Sequence, residues 1–211
     1  MDLDPAGEWA LPKRAGHVDF AYRWQNHAPL DADISVFLLV GGKVRSNDDF
    51  IFYSRPPDAG QPVDYPGKVT GPDGLVTDSV TVHLTRLDAR VDGVLFAVSV
   101  DGPVGAALTD LGSISATFAA STGPAIVEIG PDPGVTAVAA IEIVRQGTHW
   151  VARAAGRAYS DGLAALARDC GVTIASPDAG PGADPATVAA DALLIDWTRP
   201  PVPTGYEPQE S

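Results

Sequence analysis

The chain has little cysteine, few basic side chains and no long apolar run, and each shortage argues against a class of protein. Its 211 residues include one cysteine, Cys170, so an internal disulfide is excluded and a reducing, cytoplasmic setting is expected. No apolar stretch reaches about 18 residues, so no transmembrane helix is expected. The acidic N-terminal segment lacks the apolar run of a signal peptide.

Basic residues are scarce relative to acidic ones. Lysine and arginine number 14 against 27 aspartates and glutamates, and the formal net charge is −13. A chain without Lys/Arg clusters is not expected to bind nucleic acid or an anionic membrane surface. The same charge suits the binding of a cation, and it equally suits a well-solvated surface.

Enzyme signatures are also missing. The sequence contains no Gly-x-Ser-x-Gly elbow, no Walker loop and no His-Glu-x-x-His motif. Its four histidines are scattered singly, without the spacing of a zinc site: His17, His27, His83 and His149. We therefore expect a protein that is not an enzyme.

Short segments of alternating hydrophobicity follow one another along the chain, separated by Gly/Pro/Asp turns. The predicted strands are His17–Trp24, Ile34–Val40, Asp49–Ser54, Val80–Leu84, Val94–Val100, Ser113–Ala120, Ala125–Ile129, Ala139–Val144 and Trp150–Gly156. Strands of this number and spacing predict a mainly β fold, a sandwich of two antiparallel sheets.

One helix is predicted near the end of the sandwich domain, which we place at residues 1–175. The segment Asp161–Cys170 has apolar residues at helical spacing, with Ser160 or Asp161 as the cap and Gly171 as the stop. Residues 176–211 are rich in Pro, Ala and Asp and predict a linker and an extended tail. Its apolar patch ending at Trp197 either folds back on the domain or contacts a partner.

Two acidic pairs flank the apolar strand that begins near residue 31. Asp31 and Asp33 precede it, and Asp48 and Asp49 follow it. Carboxylates at strand ends can converge on one hard cation such as Ca²⁺. The alternative is that they are solvated turn residues, or that Arg45 pairs with one of them and no metal is needed.

The same stretch resembles the TerD family of tellurite-resistance and stress proteins. The first matching block is Asp31, Asp33, Ser35, Phe37, Leu38 and Leu39, and the second is Lys43–Ser46, Asp48–Phe50, Phe52 and Tyr53. Thr122-Gly123 and Tyr159–Leu163 match further patterns, so the resemblance covers roughly residues 17–175. It implies a calcium-binding β-sandwich without an established catalytic centre.

The resemblance also implies a set of metal ligands. Asp31, Asp33, Asp48 and Asp49 fall on the family's acidic positions, and Asp73, Asp78 and Asp101 are further candidates at sheet ends. Relatives carry a Gly/acid-rich loop where this chain has Thr70–Asp78, and two of its acids are replaced by Val76 and Thr77. Fewer anionic ligands weaken calcium binding, so a weak Ca²⁺ site is expected.

The function expected from the resemblance is a cytoplasmic, calcium-binding stress-response module with protein partners in a stress-response complex. A metal-free adaptor that works through its tail and sheet surface is the alternative, and the altered acidic loop favours it. A sugar-binding sandwich is a third hypothesis, which requires a platform of exposed aromatic side chains.

Overall fold

The computed structural model describes residues 8–12, 15–26, 29–52, 60–112, 115–120, 123–128 and 132–174. The strands in these ranges are β1 (Glu8–Ala10), β2 (Val18–Gln25), β3 (Asp31–Leu39), β4 (Phe50–Phe52), β5 (Val63–Asp64), β6 (Val69–Thr70), β7 (Leu75–Val82), β8 (Gly93–Asp101), β9 (Ser115–Ala120), β10 (Gly123–Glu128), β11 (Ala137–Gln146) and β12 (His149–Tyr159), and the helix is α1 (Gly162–Asp169). The predicted tail lies outside the described residues.

Each of the nine predicted strands overlaps a strand of the structure. The three that the sequence does not predict, β1, β5 and β6, are two or three residues long. A segment of two or three residues is too short to display the alternation on which strand prediction depends.

The strands form two antiparallel sheets, which confirms the predicted architecture. Sheet I has the order β1-β12-β11-β8-β3-β4, and sheet II has the order β10-β9-β2-β7-β5 with β6 also paired to β7. Side chains from both sheets form one continuous apolar core between them. In β2, Val18, Phe20, Tyr22 and Trp24 are at most 1% exposed, as the period-two pattern predicts.

Strands β3 and β8 are buried on both faces because α1 covers the outer face of sheet I. Leu166, Ala167 and Cys170 of the helix region pack in a second apolar cluster with Phe37 and Leu39 of β3. This double burial explains why β3 has the near-continuous apolar sequence of a central strand.

The helix ends where the sequence predicts. The Gly171 amide donates to the Arg168 carbonyl and the Val172 amide donates to the Ala167 carbonyl, which is a Schellman cap. Gly171 has φ of +88°, a left-handed conformation that favours glycine. Asp161 is the N-cap residue, but its side chain makes no capping bond within the described residues.

The first residues of β3 meet sheet II at one corner of the sandwich. The Ile34 amide of β3 donates to the Asp78 carboxylate of β7, at 3.0 Å. Lys68 and Tyr65, from the chain between β5 and β6, contact the same corner. Among the described helices, none has the length and apolar character to cross a membrane.

Candidate functional site

The two acidic pairs that flank β3 lie at opposite ends of that strand. Asp31 and Asp33 are in its first three residues, whereas Asp48 and Asp49 form a turn that leads into β4, whose first residue pairs with Phe37. Four residues of strand, or about 14 Å, separate Asp33 from Phe37, and the turn lies beyond. The two pairs therefore do not lie together in this structure, because the extended strand holds them apart.

Four of the seven predicted metal ligands do lie together, at the corner where β3 meets sheet II. We call this group the Lys68 corner, and its members are Asp31, Asp33, Tyr65, Lys68, Asp78 and Asp101. Asp101 of β8 is the register partner of Asp31 in β3. The corner thus combines residues from both sheets and the loop before β6.

Lys68 lies between the first two carboxylates of the corner. Its Nζ is 2.6 Å from Asp31 Oδ2 and 2.6 Å from Asp33 Oδ1. The second oxygen of Asp31 accepts a hydrogen bond from the Ala32 amide, at 2.9 Å. The ammonium also lies 5.7 Å from the centre of the Trp24 ring, within cation–π range. One lysine therefore neutralises two aspartates above a buried aromatic.

Asp78 is the buried member of the corner, with no exposed surface. Its Oδ2 accepts hydrogen bonds from Tyr65 Oη, at 2.5 Å, and from the Ile34 amide. Its Oδ1 has no hydrogen-bond partner among the described residues. The hydrogen bond from Ile34 to Asp78 thus links sheet I to sheet II, and no strand pairing among the described residues joins these sheets.

Burial and charge act against each other on the ionisable groups of the corner. Burial raises the pKa of Asp78 to about 6, although its hydrogen bonds from Tyr65 and Ile34 oppose the shift. Burial also raises the pKa of Asp33, and Lys68 only partly offsets this. For Lys68, burial works to lower the pKa, but Asp33 and Asp31 outweigh it and the pKa lies above its usual value. Lys68 is thus firmly charged at neutral pH.

The second acidic region is also neutralised by a side chain of the protein itself. Arg45 donates from Nε and Nη2 to the two oxygens of Asp49, both at 2.7 Å, and from Nη1 to Asp88 Oδ2 at 2.8 Å. Asp88 also pairs with Arg90, whose hydrogen bonds hold the pKa of the Asp88 carboxyl well below its usual range. We call Arg45, Asp49, Asp88 and Arg90 the Arg45 cluster. The pairing of Arg45 with a carboxylate, predicted as an alternative to metal binding, is confirmed.

Two of the predicted ligands are turn residues away from the Lys68 corner. Asp48 is exposed, and its backbone amide donates a hydrogen bond to Ser46 Oγ, at 3.2 Å, within the turn. Asp73 is exposed in the turn before β7, where its Oδ1 accepts from the Leu75 amide at 3.1 Å. Both positions are typical of aspartate in a turn.

The arrangement as it stands does not fit a calcium ion. Ca²⁺ takes about six to eight oxygens, and within the described residues no three acidic, histidine or cysteine side chains are arranged to hold a metal. At the Lys68 corner the ammonium lies between the carboxylates, and at the Arg45 cluster the guanidinium binds both oxygens of Asp49. In each acidic region, a basic side chain of the protein already pairs with carboxylates, Lys68 in one and Arg45 in the other.

Sequence reasoning identified the aspartates of the corner but missed Lys68, Tyr65 and Trp24. A signal for Lys68 was present, since it is the only lysine or arginine between Arg55 and Arg86, in a stretch with four aspartates. A single basic residue in an acidic stretch indicates that its side chain pairs with one of the carboxylates. Tyr65 and Trp24 carried no such signal, because their roles depend on the packing of the two sheets.

The described surface offers no aromatic platform for a sugar. The exposed large apolar side chains in the described residues are Val69, Leu75 and Val104, none of them aromatic. Phe37 and Phe96 are fully buried in the core. The sugar-binding hypothesis therefore gains no support from the described part of the chain.

Fold and site together define a class of protein, an antiparallel β-sandwich with carboxylates gathered at its sheet ends. The TerD domain family model matches residues 7–170, so the chain belongs to the TerD domain family. The resemblance seen in the sequence is thereby confirmed.

Named relatives are similar over most of their length. General stress protein 16U of Bacillus subtilis (strain 168) is 30% identical over 175 residues, covering 79% of this chain and 85% of that protein. Tellurium resistance protein TerD of Serratia marcescens is 30% identical over 151 residues, covering 67% of this chain and 78% of that protein. The crystal structure of the unknown-function protein SAV2460 has the same fold, with a TM-score of 0.61 at 22% identity over 75% of this chain and 98% of that one.

Proposed function

We propose that this chain is a non-catalytic, cytoplasmic stress-response protein that binds protein partners and keeps its fold without calcium. The observation that carries the proposal is the position of Lys68, 2.6 Å from both Asp31 and Asp33. A carboxylate pair that already binds an ammonium gains little from a metal, because the ammonium must first be displaced.

Three further observations support this function. The relatives at 30% identity are named as a general stress protein and as tellurium resistance proteins. The second acidic region is neutralised in the same way, by Arg45. The lone thiol, Cys170, is buried, and burial raises its pKa to about 11, which disfavours the reactive thiolate. The predicted tail, residues 176–211, stays a candidate docking element for partners.

Thermal unfolding tests the calcium part of the proposal. The protein is unfolded in a chelating buffer, in millimolar Ca²⁺ and in millimolar Mg²⁺. A site saturated at 100 times its Kd adds about 2.7 kcal/mol to the free energy of unfolding, which raises the melting temperature by several degrees. We expect the same melting temperature in Ca²⁺ and Mg²⁺. A rise selective for Ca²⁺ contradicts the proposal.

A complementation experiment tests the stress-response part. A bacterial strain that lacks its own TerD homologue and is sensitive to tellurite is transformed with this chain. We expect tellurite tolerance to return with the full chain and not with an empty vector. If the strain remains sensitive to tellurite although the folded protein is expressed, a shared stress function is contradicted.

Calcium binding is the second candidate function, and one observation favours it. The Lys68 corner holds four carboxylates and one ammonium, so negative charge is in excess there. A divalent cation that displaced Lys68 would neutralise more of that charge. The Ca²⁺-selective rise in melting temperature described above is the result that this candidate predicts.

A further inference from the structure

The Lys68 ammonium is surrounded by protein groups, as a bound cation is, and is less exposed to water than a typical surface lysine. Its side chain is 25% exposed, it contacts two carboxylates at 2.6 Å each, and the Trp24 ring lies on another side. Exposed ion pairs contribute little because water solvates both ions. Here Asp33 is only 15% exposed, so water is partly excluded and the ammonium is the main partner of that charge.

The corner also provides more oxygen atoms than one ammonium uses. Asp31 and Asp33 give one oxygen each to Lys68, and Asp78 gives one oxygen to Tyr65 and Ile34. The other Asp78 oxygen is fully buried and has no hydrogen-bond partner among the described residues. A buried oxygen in this state is costly, and it indicates a position where a cation or its water can bind.

We propose that the Lys68 ammonium is a built-in replacement for a divalent metal ion, and that it excludes such an ion from Asp31, Asp33, Asp78 and Asp101. This inference rests on the calcium-independent function proposed above and names the residue responsible for it. Removing the ammonium leaves the carboxylates of Asp31 and Asp33 without a cation, and the charges of Asp78 and Asp101 add to their repulsion. This repulsion is relieved by a hard divalent cation. Carboxylates held on separate strands suit Ca²⁺, whose coordination is flexible, better than the small, strictly octahedral Mg²⁺.

The variant Lys68→Met tests the inference, because methionine keeps an unbranched apolar stem beside Trp24 and removes the charge. Lys43→Met is the matched control. It makes the same substitution and the same change in net charge at an exposed lysine beyond the opposite end of β3, where its Nζ donates to the Asp169 carbonyl. Calcium and magnesium binding to each protein is measured by isothermal titration calorimetry, and melting temperatures are measured in chelator and in each metal.

We expect Lys68→Met to bind Ca²⁺ at least tenfold more tightly than the wild type, with about one ion per chain. Its melting temperature should fall below that of the wild type in chelator and recover in Ca²⁺. Lys43→Met should show neither effect. Adding Asp33→Asn to Lys68→Met should abolish the gain, which assigns it to the corner and not to a general increase in negative charge.

Lys68→Gln is measured in parallel in case Lys68→Met does not fold, because its amide can still donate to Asp33. Equal calcium affinity in the wild type and the folded Lys68 variant overturns the inference. The proposed calcium-independent function is still supported by that result if the wild type also does not bind Ca²⁺. Calcium binding by the wild type, in contrast, overturns the calcium-independent function, and the affinity ratio between the two proteins still decides whether Lys68 competes with the metal.

Discussion

Replacing the buried Asp78 by asparagine changes how stability depends on pH. Asp78 is fully buried at the junction of the two sheets, and its pKa of about 6 lies above the usual value of 3.8. The folded protein therefore holds a proton on this carboxyl more tightly than the unfolded chain does. Asp78→Asn removes the titrating group while preserving its size and one acceptor oxygen.

The sign and size of the effect follow from linkage. Between about pH 4 and pH 6 the folded state keeps the Asp78 proton and the unfolded state loses it, so the Asp78 contribution to stability falls as pH rises. Above about pH 6 both states are ionised and the contribution is constant. A shift of about two pKa units corresponds to a loss on the order of 3 kcal/mol across that window.

Urea unfolding followed by tryptophan fluorescence measures this loss at a series of pH values between about 4 and 7. The quantity to compare is the unfolding free energy of Asp78→Asn minus that of the wild type, in which the effects of the other acids largely cancel. We expect this difference to rise by on the order of 3 kcal/mol from pH 4 to pH 7. Asp132→Asn, at an exposed aspartate, is the matched control for the loss of one carboxylate. A flat or falling difference for Asp78→Asn would refute the reasoning.

Two further predictions concern the second acidic region and the single cysteine. Arg45→Lys should lower the free energy of unfolding, measured in urea, by about 1 kcal/mol, because an ammonium cannot bind both oxygens of Asp49 and also reach Asp88. Arg90→Lys, at a largely exposed arginine, is the control. Equal losses of stability in the two variants would contradict the role given to Arg45. Cys170 is 1% exposed with a pKa of about 11, so it should not react with a thiol reagent at neutral pH until the protein is unfolded in denaturant. Rapid labelling of the native protein would contradict its placement in the core.

Much of the fold was predictable because its signals are local. Alternation in β2, with Phe20 and Trp24 inward, reports directly which side of the strand is buried. Gly171 ends α1 because the left-handed conformation needed there favours glycine, a property of one residue and its backbone. The short strands β5 and β6 were not predictable, since two residues carry no period and pair only because β7 lies beside them.

The candidate site was predictable only in part. The aspartates stood out in the sequence, and four of them do meet at one corner. Which of them meet was decided by the register of β3 with its neighbours, which separates Asp33 from Asp49 and aligns Asp31 with Asp101. Register depends on side chains from distant parts of the chain, and spacing along the sequence does not report it.

The family, the mainly β architecture, the helix with its stop and the acidic character of the sheet ends could all be predicted from the sequence alone. These features follow from periodicity, turn chemistry and residue type, which act over a few neighbouring residues. The pairing of Lys68 with Asp31 and Asp33, in contrast, could be seen only in the folded structure. Lys68 reaches Asp33 across 35 residues of chain because the folded sheets bring them together at 2.6 Å, and a charge pair of this kind exists only after the sandwich has formed.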